Sequence, residues 1–242
     1  MTIAQNLPKI AVVTGTSSGI GLAIARKLLA DGWQVRGLDR AQPILQTDYF
    51  AGQVVDLTDG NALQAALDAA LGSAFNRVVP DALVHAAGLL RVGALGALDP
   101  LDGEAMWQLH VSAATRLANR LLPVMQASGR GRMVLVGSRV SGGMAGRSQY
   151  AASKAALVSL ARSWAAESVS KGVTVNVVSP AATDTPMLAD PARANAAPHL
   201  PPMGRLIQPE EVAALVAFLL SNDAAAITGQ DIAICGGSSV KA

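Results

Sequence analysis

The apolar and polar positions of this chain alternate between two periods. Residues 9–14, Lys-Ile-Ala-Val-Val-Thr, form a β-branched run that stops at a Gly/Ser cluster, the pattern of a buried strand. From 19 to 29, Ile20, Ala23, Ile24 and Leu28 recur at helical spacing, and Gly32 ends the helix. The same reasoning predicts strands over 34–38 (closed by Asp39) and 52–55, a helix over 61–71, a strand over 82–84 and a long helix over 103–125. It continues with a strand over 133–136, a second long helix over 149–169, a strand over 173–178, a helix over 210–220 and a last strand over 232–234. Seven strands alternating with helices specify an α/β fold: a doubly wound, seven-stranded parallel sheet with right-handed crossovers and helices on both faces. Without a repeat or linker, residues 1–242 read as a single domain. The Pro- and Ala-rich stretch at about 184–204 reads as a mobile loop within it.

Composition supports this picture and narrows the function. Hydrophobic residues make up 51% of the 242 residues and charged ones 15%, which excludes disorder. Aromatics are only 3%, so the core is aliphatic, as suits strands buried on both faces. The net charge of +2 has no clustered source, so no nucleic-acid face is expected. One cysteine, Cys235, permits no internal disulfide or cysteine-based metal site, and His85, His110 and His199 are too scattered to suggest a metal. The first nine residues lack a secretory pattern, and the richest apolar stretch, 212–220, falls short of the roughly 18 residues a membrane span needs. A cytoplasmic protein without a membrane partner is expected.

Two places carry chemistry. The run Thr14-Gly15-Thr16-Ser17-Ser18-Gly19-Ile20-Gly21 joins the first strand to the first helix. Glycines there let the backbone approach a pyrophosphate facing the helix N-terminus, as in a Rossmann-type dinucleotide site. Gly15, Ser17, Ser18, Gly19, Ile20 and Gly21 are therefore candidate cofactor contacts. Asp39, at the end of the second strand, can accept from the adenosine ribose hydroxyls and would repel a 2′-phosphate, which favours NAD over NADP. Arg40 beside it can stack on adenine or meet a phosphate. Asp56 is a candidate adenine contact, with Leu57 next to it, and a helix cap is the competing reading for Asp56.

The second place is Tyr150-Ala-Ala-Ser-Lys154, where a spacing of four puts Tyr150 and Lys154 on one helical face. Tyrosine, with an ordinary pKa of about 10, is a poor base at neutral pH. A neighbouring ammonium stabilises its phenolate and makes it a usable proton donor and acceptor. Ser138 lies just past a strand end, where the fold can bring its hydroxyl to Tyr150.

Together with 85–88 (His-Ala-Ala-Gly) and 176–185, these residues make the chain similar to the short-chain dehydrogenase/reductase family over nearly its whole length. The resemblance implies that Ser138 orients the substrate oxygen, Tyr150 passes the proton, and Lys154 binds the nicotinamide ribose while tuning Tyr150. It also implies cofactor contacts at Ala86, Ala87, Gly88, Pro180, Thr183 and Thr185. Three positions depart from the family pattern. His85-Ala86-Ala87-Gly88 stands for Asn-Asn-Ala-Gly. His110 stands for an asparagine whose main chain binds a water leading to the lysine. Cys235 stands for an aspartate, and no chemistry is assigned to it. His110 is a candidate member of the proton relay, with a space-filling helix histidine as the competing reading.

Substrate choice is expected to rest with Leu89, Leu90, Arg91, Arg139, Val140, Met144, Arg147 and the loop 186–202. The three arginines suit a carboxylate, although solvated surface arginines read the same way. Segments 87–91, 179–185 and 227–231 resemble 2,3-dihydro-2,3-dihydroxybenzoate dehydrogenases and partly also 3-oxoacyl-carrier-protein reductases. The expected activity is hydride transfer between NAD(H) and a secondary alcohol or ketone. A 3-oxoacyl-carrier-protein reductase preferring NADPH is one alternative. An NAD-binding regulator or scaffold that has lost turnover is another. The Ala-rich face of Ala151, Ala155, Leu157 and Ala161 permits close helix packing, and the resemblance implies a homotetramer.

Overall fold

A computed structural model describes residues 8–72, 79–189 and 200–240. Its seven strands are β1 (Ile10–Thr14), β2 (Gln34–Asp39), β3 (Phe50–Val54), β4 (Ala82–His85), β5 (Gly131–Val136), β6 (Val173–Pro180) and β7 (Asp231–Ile234). They form one sheet in the order β3-β2-β1-β4-β5-β6-β7, every pairing parallel. The Rossmann-type architecture read from the sequence is the one observed.

Among the described residues there are six α-helices, α1 (Gly19–Ala30), α2 (Gly60–Leu71), α3 (Pro100–Trp107), α4 (Ala113–Ala127), α5 (Ser148–Ser168) and α6 (Pro209–Leu220), and all but α3 cover the two faces of the sheet. Alternate strand residues serve opposite faces. Ala11 and Val13 pack with Ile24 and Leu28 of α1 and Val212 and Val216 of α6. Val12 packs on the other side with Leu63 and Leu67 of α2, Leu117 of α4 and Leu157 of α5. Strands β1, β4, β5 and β6 are almost wholly buried, which explains their predominantly aliphatic sequences. The edge strands β3 and β7 are half exposed and carry weaker patterns.

The predicted long helix over 103–125 is longer and interrupted. It starts at Pro100, because the Asp99 carboxylate accepts from the Leu101 N–H at 2.8 Å and Pro100 occupies the first turn. Between α3 and α4 the backbone widens into a π turn at Gln108–Ser112, a feature that recurs at functional sites. The loop expected at about 184–204 begins with a 3-10 turn at Pro186–Ala189; residues 190–199, including His199, lie outside the described residues. The face proposed for helix packing between copies is largely internal. Ala151, Leu157 and Ala161 are buried within the chain's own core, since the turns of α5 that carry them lie against the sheet.

Candidate active site

Strand order reverses at β1, with β2 on one side and β4 on the other. The crevice at the carboxyl ends of such strands is where this architecture places ligands. Thr14, the last residue of β1, is in register with His85, the last of β4. The chain then turns at Gly15 (φ 78°), where a Cβ would lie 2.9 Å from the Ala87 nitrogen. At Gly21 a Cβ would lie 2.1 Å from the Gly15 carbonyl oxygen, so the turn folds onto α1 only without a side chain. Thr14 Oγ1 fastens the opposite wall, accepting from the N–H groups of Ala86 and Ala87 at 3.0 Å each. Ser18 at the start of α1 makes no side-chain cap, leaving the first-turn N–H groups to meet an anion.

These groups border a cleft of about 510 Å³. It brings together Gly15, Ser18, Gly19, Ile20, Gly21, Asp39, Arg40, Asp56, Leu57, Ala86, Ala87, Gly88 and Thr185, and the π turn adds Gln108 and Leu109. The glycine cradle, the open helix terminus and the carboxylate at the far end fit a dinucleotide. Asp39 is held by two N–H donors at 2.9 Å, Ser17 onto Oδ2 and Ala41 onto Oδ1. Ser17 itself does not line the cleft; its hydroxyl turns to the carbonyls of Ala41 and Gln42. Asp56 does not cap α2. That role falls to Asp59, which accepts from Asn61 and Ala62, whereas Asp56 takes the backbone and hydroxyl of Thr58 and is held below the usual carboxylate range by them.

A second, smaller cleft of about 160 Å³ continues from the first, sharing Ile20, Ala86, Gly88, Thr185 and Met187. Ser138, Tyr150, Lys154, Pro180 and Thr183 all line it. Ser138 follows β5 and caps a short 3-10 turn, Arg139–Gly142, its Oγ accepting from Val140 N at 3.4 Å. Tyr150 and Lys154 occupy the first two turns of α5, and the ammonium nitrogen lies 5.9 Å from the centroid of the phenol ring. Lys154 Nζ donates to the Val136 carbonyl at 2.8 Å, and burial draws its pKa down to about 7.

Of the three arginines, two border this cleft. Arg139 donates to the Ser238 carbonyl at 3.4 Å, and Arg147 sits at the N-terminus of α5. Arg91 does not border it: its guanidinium donates to the Leu90 carbonyl and faces Asp102 on α3 at 3.5 Å. Leu90, Val140, Met144 and Met187 supply apolar walls, while Leu89 borders the larger cleft.

His110 lines neither cleft and is wholly buried in the π turn. Its Nε2 accepts from the Leu89 N–H at 3.1 Å, its Nδ1 meets Ser153 Oγ at 2.9 Å, and its ring stands edge-on to Tyr150 with centroids 5.6 Å apart. Burial, then the nearby Lys154 charge, holds its pKa well below 6.5. His85 is equally buried, and the same two causes lower it to about 4. Sequence reasoning did not single out Ser153 or the side-chain roles of Thr14 and His85. Each depends on a partner distant in the chain, and no local pattern signals it.

The profile of the family described as Enoyl-(Acyl carrier protein) reductase matches residues 15–239. The chain is 36% identical to the Escherichia coli (strain K12) 3-oxoacyl-[acyl-carrier-protein] reductase FabG over 239 residues, covering 95% of this chain and 96% of that protein. It belongs to the short-chain dehydrogenase/reductase family. It is likewise 36% identical, at 95% and 96% coverage, to the 2,3-dihydro-2,3-dihydroxybenzoate dehydrogenase of the same organism. Among solved structures, a Brucella melitensis 3-ketoacyl-(acyl-carrier-protein) reductase complexed with NADH superposes with a TM-score of 0.85 at 27% identity, covering 96% of this chain and 98% of that one. An actinorhodin polyketide ketoreductase with NADPH gives 0.87 at 28% identity, with 97% and 98% covered. The chain is therefore an oxidoreductase of this family, using a nicotinamide dinucleotide to move hydride to or from an alcohol or carbonyl carbon. Among the described residues no helix is long and apolar enough to cross a membrane.

Proposed function

We propose that this enzyme is an NAD-linked dehydrogenase of small acidic secondary alcohols, with Tyr150 as its acid/base group. The observation that carries the reading is the continuity of the two clefts. A cradle suited to a dinucleotide opens, past Gly88 and Thr185, directly onto Ser138, Tyr150 and Lys154. Asp39 supports NAD, because a carboxylate held by Ser17 and Ala41 at the cleft's far end would oppose a 2′-phosphate. Arg139 and Arg147, beside the apolar wall of Leu90, Val140, Met144 and Met187, support a carboxylate on the substrate, and the small volume of the second cleft supports a compact one.

In the oxidative direction Ser138 hydrogen-bonds the substrate hydroxyl oxygen and Tyr150 removes its proton. The carbinol carbon gives up its hydrogen as hydride and a C=O bond forms. The bound dinucleotide supplies the hydride acceptor. The Lys154 ammonium, 5.9 Å from the Tyr150 ring centroid, favours the phenolate electrostatically, so proton removal runs near neutral pH. In the reductive direction Tyr150 returns the proton to the new alkoxide oxygen.

The second reading, a 3-oxoacyl-carrier-protein reductase, draws on the FabG relatives at up to 36% identity. One comparison separates the two. Initial rates with NAD are measured on 3-hydroxycyclohexanecarboxylate, 2,3-dihydro-2,3-dihydroxybenzoate and neutral cyclohexanol, beside reduction of a 3-oxoacyl thioester with NADPH. The proposal expects the acids to lead and Arg147→Ala to raise their KM about tenfold while leaving cyclohexanol unchanged. Faster turnover of the thioester with NADPH would overturn it. A scaffold without turnover would bind NADH and reduce nothing. We also propose a homotetramer in the cytoplasm, on the family resemblance, and light scattering showing a monomer would refute the assembly.

A further inference from the structure

His85 and His110 occupy two positions where the family pattern carries asparagines, and the structure brings them to one place. They bridge the same gap in opposite directions. His85, at the end of β4, reaches the π turn, its Nε2 lying 3.1 Å from the Leu109 carbonyl. His110, the next residue of that turn, reaches back to the chain after β4 and accepts from Leu89 N–H at 3.1 Å.

The surrounding donors fix both tautomers. Thr14 Oγ1 already accepts from Ala86 and Ala87, so its proton points to His85 Nδ1 at 3.0 Å. His85 therefore carries its proton on Nε2 and donates it to Leu109 O. His110 Nε2 accepts, so its proton sits on Nδ1 and goes to Ser153 Oγ at 2.9 Å; the Ser153 hydroxyl in turn donates to the Tyr150 carbonyl at 2.8 Å. Every donor in the chain has an acceptor, and each ring is saturated only while neutral. A second proton on His110 would confront the Leu89 N–H, and one on His85 would confront the Thr14 hydroxyl.

We propose that His85 and His110 form a reciprocal clasp that positions the floor of the cofactor cleft and the first turn of α5. Between its two β4-side anchors lie Ala86, Ala87 and Gly88, two of which border both clefts. A Cβ on Gly88 would meet His110 Nε2 at 3.2 Å and Lys154 Nζ at 3.6 Å, so imidazole and ammonium pack on the same glycine. Through Ser153 the clasp also grips the backbone of Tyr150. The histidines are positioning residues, since neither touches a cleft. The titratable groups facing His110 are Tyr150 and Lys154 from α5 and His85 from β4. The low pKa of both histidines keeps the clasp neutral through the physiological range.

Long-range 15N–1H NMR of the [15N]histidine-labelled enzyme tests the clasp directly, with His110 assigned through its contact to the Tyr150 ring and His85 by loss of its signal in His85→Asn. Two neutral rings of opposite tautomer, Nε2–H for His85 and Nδ1–H for His110, both unprotonated at pH 5.5, are expected. A shared tautomer, or titration of either near 6.5, would overturn the proposal. A kinetic arm rests on the dehydrogenase reading. His85→Leu and His110→Leu should each lower kcat about tenfold with little change in the KM for NAD. The double variant should be no worse than the poorer single, and His110→Gln should recover part of the loss. Independent, multiplicative losses, or unchanged kcat, would count against a joint device. An enzyme without turnover would sink the dehydrogenase reading and leave the tautomers to decide the clasp.

Discussion

Replacing His85 by Asn should change how stability depends on pH, by an amount the structure sets. In the folded chain His85 titrates at about 4, against an ordinary 6.5, because burial and the Lys154 charge oppose its protonation. Below pH 6.5 the unfolded chain takes up a proton there and the folded chain does not, so stability falls as pH falls. Each unit costs about 1.4 kcal/mol. His85 alone should therefore remove about 2 kcal/mol by pH 5 and about 3 kcal/mol by pH 4. In His85→Asn this loss is absent. Urea unfolding of both proteins, at one protein concentration and at pH 7.5, 6, 5 and 4, gives the difference in stability; titrating groups distant from His85 cancel in it. The advantage of the unsubstituted enzyme at neutral pH should shrink steadily below 6.5. A difference that stays flat from pH 7.5 to 4 would refute the burial argument.

Two further substitutions probe the larger cleft. Gly21→Ala sets a Cβ 2.1 Å from the Gly15 carbonyl oxygen, so it should cost about 1–3 kcal/mol of stability and weaken NADH binding at least tenfold by calorimetric titration. Asp39→Asn keeps an acceptor for one of its two N–H donors and removes the charge; the ratio of NADPH to NADH affinity should rise about tenfold, read by fluorescence titration. An unchanged ratio would separate Asp39 from cofactor choice.

The fold was legible because inner strands of a parallel sheet are buried on both faces and so predominantly apolar, as 133–136 is throughout and 173–178 is apart from Thr174 and Asn176, and their intervening helices show a clear period. The pattern puts the third strand at 52–55, whereas it lies at Phe50–Val54: an edge strand with no fully buried position, exposed at Ala51 and Val54, leaves a blurred run. The long helix starts at Pro100, earlier than its apolar pattern indicates, because that pattern is faint over the first turns; Asp99-Pro100 is the start signal. The π turn has no compositional mark. In the site, spacing alone put Tyr150 and Lys154 on one face of a helix, and the glycine run predicted the cradle. Spacing gave no warning that Ser17 turns behind the cleft, that Arg91 turns toward Asp102, or that Asp59 caps α2 in place of Asp56. Each outcome is decided by a competing hydrogen bond or ion pair visible only once the chain is folded. The two histidines illustrate this best: apart in sequence, each looks like a lost asparagine, and together they complete one hydrogen-bonded chain.

The central claim is that Tyr150 moves the proton while NAD takes the hydride. Initial rates of NADH formation from the preferred secondary alcohol, for the unsubstituted enzyme and for Tyr150→Phe with NADH affinity confirmed equal, test it most directly. The loss expected is about 10²- to 10⁴-fold in kcat, the usual contribution of a positioned acid/base group. Near-normal turnover by Tyr150→Phe would contradict the assignment.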